Sequence, residues 1–93
     1  MEIKVEFEGG LQSDFEAPDG ITVTVPEGTK LGQLAAIVAE KAPKKPVRFV
    51  GADGNVVLGI LVMLNGVDSE VQGLDTVLKS GDQVTYISTL HGG

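Results

Sequence analysis

Apolar and polar residues alternate strictly where the chain begins: Ile3, Val5 and Phe7 interleave with Glu2, Lys4, Glu6 and Glu8. A period of two sends successive side chains to opposite faces, so this pattern predicts a half-buried strand over residues 2–8. Gly9 and Gly10 end it, and residues 9–20 carry a Pro18-Asp19-Gly20 turn signal, which predicts a long loop with Phe15 tucked onto the core. Ile21, Val23 and Val25 alternate with Thr22 and Thr24 up to Pro26. This second strand is expected to pair antiparallel with the first, because parallel pairing needs a crossover helix.

The period then changes. Leu31, Leu34, Ile37 and Val38 share one helical face, supported by Ala35, Ala36 and Ala39, which predicts a helix over 30–41. Thr29 is a suitable N-cap, Pro43 and Pro46 end the helix, and Lys41, Lys44 and Lys45 lie near its negative end. Val47-Arg48-Phe49-Val50 reads as a short strand, Ala52-Asp53-Gly54-Asn55 as a turn and 60–64 as a strand. Asn65-Gly66 is a tight-hairpin signal, and the return strand takes in Val67 and extends toward Val71. Residues 74–78 read as a short turn or 3₁₀ segment, and Lys79-Ser80-Gly81-Asp82 turns into a last strand over 83–89. Parity in that strand is ambiguous, and the reading adopted puts Val84 and Tyr86 in the core and Ile87 on the outer face.

Composition narrows the classes. Ninety-three residues make one domain, and 42% hydrophobic residues argue for a folded chain over a disordered one. No apolar run reaches the roughly 20 residues that span a bilayer, and the opening residues lack a signal-peptide pattern, so a cytosolic chain that avoids membranes is expected. The absence of cysteine excludes disulfides, thiolate zinc sites and a persulfide carried on the chain's own side chains. Thirteen acidic against seven basic residues give a net charge of −6, which repels phosphate backbones. Direct nucleic-acid binding is therefore not expected, and a protein partner with a basic docking surface is.

The last residues are Thr89-Leu90-His91-Gly92-Gly93. Two glycines are costly to order and add nothing to a core. Their natural use is to be threaded, extended and slim, into another protein's active site, where no Cβ hinders attack on the final carboxylate. The predicted organisation is a domain over 1–89 and a flexible tail over 90–93. At about 3.3–3.6 Å per residue the tail reaches roughly 13–14 Å, so the domain can stay docked outside while Gly93 enters the site.

One main helix on a mixed sheet, with the chain leaving the final strand, resembles the β-grasp (ubiquitin-like) α+β fold. The run Gly59-Ile60-Leu61-Val62-Met63-Leu64-Asn65, then Asp68, Leu74-Asp75, Leu78 and Asp82, and above all the ending Ile87-Ser88-Thr89-Leu90-His91-Gly92-Gly93, closely resembles the ubiquitin-related modifier family. The likeness covers about the last 35 residues; the first 58 match only in element order and in the alternating opening strand. Where relatives commonly carry an aromatic after the hairpin Asp, this chain has Ser69.

The resemblance implies a protein carrier and modifier, not an enzyme. An E1-like activating enzyme would use ATP and magnesium to adenylate the Gly93 carboxylate, and a rhodanese-type persulfide would turn the adenylate into a thiocarboxylate. The product would donate sulfur to a tRNA thiolation enzyme for wobble-uridine 2-thiolation, or be joined to lysines of target proteins. The chain itself would bind no cofactor and would act as a monomer. An alternative is a β-grasp adaptor, or the small subunit of a sulfur-transfer enzyme such as a molybdopterin-synthase-like complex.

Other residues are weighed against plainer readings. His91, the sole histidine, supplies neither a metal site nor a catalytic dyad; recognition by the activating enzyme and simple solvation stand level. Leu90 and Ile87 are favoured as an apolar docking patch, while Met63 leans toward ordinary sheet packing. The three lysines at the helix end read as a solvated cluster. Asp53 with Asn55 reads as turn chemistry and Asp68 with Glu70 as a solvent face, since neither pair has the ligand count of a cation site.

Overall fold

The computed structural model describes residues 1–42 and 49–89. Its elements, in chain order, are β1 (Glu2–Glu8), α1 (Leu11–Asp14), β2 (Ile21–Thr24), α2 (Leu31–Lys41), β3 (Ile60–Leu64), β4 (Val67–Asp68), α3 (Ser69–Gln72) and β5 (Gln83–Ser88). The strands form one five-stranded mixed sheet in the order β2-β1-β5-β3-β4. Neighbouring strands run antiparallel except β1 and β5, which are parallel in the register Val5 to Val84 and Phe7 to Tyr86. This is the β-grasp arrangement, with the last strand in the middle of the sheet.

Alternation does what the sequence predicts on β1: Ile3, Val5 and Phe7 are buried. Leu31, Leu34, Ala35 and Val38 form the buried stripe of α2, and Ile37 packs at its margin. On β5 Val84 and Tyr86 are buried and Ile87 is partly exposed, as the parity reading had it. Phe7, Phe15, Phe49 and Tyr86, all the aromatic residues of the chain, gather in one cluster. Phe7 stacks on Phe15 at 4.1 Å, and Phe49 meets Phe15 and Tyr86 edge-on at 4.9 and 5.0 Å. The two edge-on contacts suit the aromatic quadrupole.

Four details differ from the sequence reading. The 9–20 segment is not all loop, because Leu11–Asp14 form one helical turn. A four-residue turn has too little propensity to form alone; burial of Leu11 and Phe15 holds it. Thr29 is not the N-cap of α2. It is buried, and its hydroxyl donates back to the Pro26 carbonyl at 2.7 Å.

Lys30 occupies the cap position, and its amide donates to the Gln33 side chain at 2.9 Å. The unpaired amides of the first helical turn are met from outside: Leu31 donates to the Thr76 carbonyl and Gly32 to that of Leu74. With the helix start satisfied by a neighbouring backbone, no Thr cap is needed. Third, the return strand β4 stops after two residues, and Val71 lies in α3, 78% exposed. The Asp68 carboxylate accepts from the Glu70 amide at 2.8 Å and starts that helix. Fourth, the last strand ends at Ser88, one residue earlier than predicted.

Residues 74–78 form a turn followed by a bridge from Val77 to Lys30. Of the proposed 47–50 strand, Val47 and Arg48 lie outside the described residues, as do Pro43, Lys44, Lys45 and Pro46. Val50 bridges Val56 across the Ala52–Asn55 turn.

Candidate functional site

The site is built at the end of β5, where the chain leaves the sheet. Because β5 lies between β1 and β3, its end is held from both sides. On the β3 side Ile60 pairs with Ser88. One residue on, the Thr89 amide donates to the Gly59 carbonyl at 2.7 Å, and the Thr89 hydroxyl donates to the same oxygen at 2.8 Å. On the β1 side Glu8 pairs with Ile87, and Gly9 approaches the next peptide so closely that a Cβ there would lie 2.2 Å from the Ser88 carbonyl oxygen. Leu90, His91, Gly92 and Gly93 follow Thr89 and lie outside the described residues.

The outer face of the sheet, opposite α2, carries the predicted docking residues. Ile87 and Met63 are both partly exposed there. They do not pair directly: Ile87 stands opposite Leu61, and Met63 opposite Thr85 and Asp68. Leu61, 38% exposed, joins them and completes an apolar strip. The sequence reading did not single it out, although its odd position in β3 puts it on the same face as Met63. Leu58, 91% exposed, also went unremarked; it immediately precedes the carbonyl that Thr89 grips.

Carboxylates border the strip: Glu6, ion-paired with Lys4 at 3.8 Å, and Glu8 on β1, opposite Thr85 and Ile87, and Asp68 on β4, opposite Met63. An apolar strip edged with negative charge matches a partner surface with an apolar recess and a basic rim.

The remaining candidates have structural roles. Asp53 accepts from the Asn55 amide at 3.0 Å and its side chain at 3.4 Å, which holds the Asp53 carboxyl below the usual range. Asp68 caps α3. The described residues contain no group of three acidic or histidine side chains able to hold a metal ion. Lys41 is exposed yet fastened, its ammonium donating to the Thr24 carbonyl on β2. Among the described residues no helix is long and apolar enough to cross a membrane.

A sequence profile of the family described as Urm1 (Ubiquitin related modifier) matches residues 2–93. The chain belongs to this family. It is 35% identical over 99 aligned residues to Ubiquitin-related modifier 1 of the yeast Yarrowia lipolytica, with both chains covered completely. The solution structure of Urm1 from Trypanosoma brucei is 35% identical and superposes with a TM-score of 0.75 over 99% of this chain and 95% of that one. SAMP1 from Haloferax volcanii shares the fold at a TM-score of 0.82 and 19% identity, with complete coverage of both. The family match extends the likeness seen in the last third of the sequence to residues 2–93, Ser69 included.

Proposed function

We propose that this Urm1-family chain is a protein modifier and sulfur carrier that reacts through the Gly93 carboxylate. An E1-like enzyme, using ATP and magnesium, forms the acyl adenylate and releases pyrophosphate. The terminal sulfur of a rhodanese-type persulfide attacks the acyl carbon, AMP leaves, and a thiol cleaves the resulting acyl disulfide to free the thiocarboxylate. That group donates sulfur for 2-thiolation of the wobble uridine of tRNA, and activated Gly93 also joins lysines of target proteins. Leu90, His91 and Gly92 line the entry of the partner's channel, while Ile87, Leu61 and Met63 dock the domain outside it.

The observation that carries this reading is the family match over residues 2–93. The geometry of the described residues supports it: Thr89 is held to Gly59 on the β3 side, and two of the four residues that follow it in the sequence are glycine. The chain is acted upon, so the catalytic groups belong to the enzyme.

The test is the intact mass of the chain after incubation with ATP, a sulfur donor and the activating enzyme of the same source, beside a Gly93-deleted control. Replacement of one oxygen by sulfur, absent from the control, is the expected result. No change, with the enzyme active on another carrier, would sink the sulfur-carrier reading and favour an adaptor or a synthase subunit.

A further inference from the structure

The backbone bond from Thr89 to Gly59 prolongs the β3–β5 ladder by one step and requires no particular side chain. The hydroxyl bond does. Thr89 is exposed, so water could satisfy its hydroxyl; the side chain instead donates to the oxygen its own amide already holds. Two donors from one residue on one carbonyl fix both the backbone and χ1 at the last position before the tail. Gly9 closes the other side of the strand end, leaving no space beside Ser88.

We propose that Thr89 is a positioning residue: its hydroxyl clamps the root of the tail so that residues 90–93 leave the sheet from a fixed point. This role rests on the proposed activation at Gly93. Ordering each backbone residue costs conformational entropy, and a root that is already ordered adds nothing to that cost on insertion. A fixed root also confines where a tail of about 13–14 Å can deliver its carboxylate. Releasing the hydroxyl loosens Thr89 before binding, but the seated chain presents the same carboxylate to ATP. The clamp therefore acts on association with the enzyme and not on the chemical step.

The experiment compares wild type, Thr89→Val and Thr89→Ser in ATP–pyrophosphate exchange by the activating enzyme of the same source, with the carrier concentration varied. Thr89→Val keeps the size, β-branch and amide but loses the hydroxyl donor; Thr89→Ser keeps the donor. Thr89→Val is expected to raise KM for the carrier about 3- to 10-fold, the range set by one hydrogen bond, with kcat unchanged. Thr89→Ser is expected to behave as wild type.

Backbone ¹⁵N relaxation of the free proteins supplies a second readout, with faster motion at residues 89 and 90 expected in Thr89→Val alone. A wild-type KM in Thr89→Val, or an equal loss in Thr89→Ser, overturns the clamp. A raised KM without any change in relaxation assigns the hydroxyl to the partner's contact surface and also overturns it. No exchange with the wild-type chain, by an enzyme active on another carrier, overturns the proposed activation itself.

Discussion

The Asn65 side-chain amide donates to the Asp82 carboxylate at 3.0 Å, joining the β3–β4 turn to the turn that precedes β5. The same side chain accepts from the Gln83 amide at 2.9 Å, and Asp82 in turn accepts from the Lys79 amide at 2.8 Å. Asn65 and Gly66 both have positive φ, 50° and 82°, as a type I′ hairpin requires. One residue thus sets the hairpin and locks the start of the central strand.

Asn65→Asp isolates that lock, because Asp also tolerates the left-handed conformation but cannot donate to Asp82 when ionised. Two carboxylates would then face each other where a hydrogen bond stood. The substitution is expected to cost about 1–3 kcal/mol at neutral pH. Urea unfolding checks it: the midpoint should fall while the slope stays constant, and an unchanged midpoint would show that the bond contributes nothing.

Phe49→Ala should be among the most damaging core changes. Phe49 is buried and touches Phe15, Tyr86 and Phe7, so it joins the 9–20 segment to the central strand. Truncating a buried Phe costs about 3–5 kcal/mol, a large share of the roughly 5–15 kcal/mol that holds a domain together. Thermal unfolding followed by circular dichroism should show a drop in Tm of well over 10 °C, since each kcal/mol moves a domain of this size by about 4–8 °C. A drop of only a few degrees would mean that the site collapses around the cavity.

The legible parts of this chain are those where one periodicity dominates. The alternation Ile3-Val5-Phe7, the helical face of Leu31, Leu34 and Val38, and the Asn65-Gly66 turn each specify local structure and burial together. What the sequence hid depends on distant partners. Thr29 reads as a cap because its residue type is right, but the carbonyls of Leu74 and Thr76, more than 40 residues away, take the amides it would have helped to satisfy. Leu11–Asp14 becomes helical through burial, not propensity.

For the candidate site, the C-terminal motif carried the resemblance to the family whose profile matches residues 2–93. Nothing local announced that Thr89 would find Gly59, 30 residues earlier, because that contact exists only once β3 and β5 pair.

Tyr86 gives a pH prediction. Its hydroxyl is buried and has no protein hydrogen-bond partner among the described residues, and burial pushes its ionisation well above the usual phenol range. The sign follows from linkage. Near pH 10 the unfolded chain begins to release this proton while the folded chain keeps it, so stability present below about pH 10 is lost as the pH rises further. Tyr86→Phe removes the group. It should gain about 1 kcal/mol at neutral pH by deleting an unpaired buried hydroxyl. Between pH 10 and 11.5 its denaturation midpoint should fall less steeply than that of wild type; parallel curves would show that other groups govern alkaline unfolding.

Ile87→Glu tests whether the outer apolar strip docks the activating enzyme. The side chain is only partly buried, so the fold should survive, with a modest cost from placing a charge opposite Leu61 and beside Glu8. Binding should suffer more, because a carboxylate in the middle of an apolar contact must be desolvated without a partner. A rise in KM for adenylation of about tenfold or more is expected, equivalent to about 1.4 kcal/mol. Thr22→Glu is the control, since it adds the same charge to the outer face at the β2 edge, beside Lys4 and away from the tail. Equal losses in the two variants would mean that net charge alone governs the encounter. A wild-type KM in Ile87→Glu would remove the strip from the interface and leave recognition to the tail.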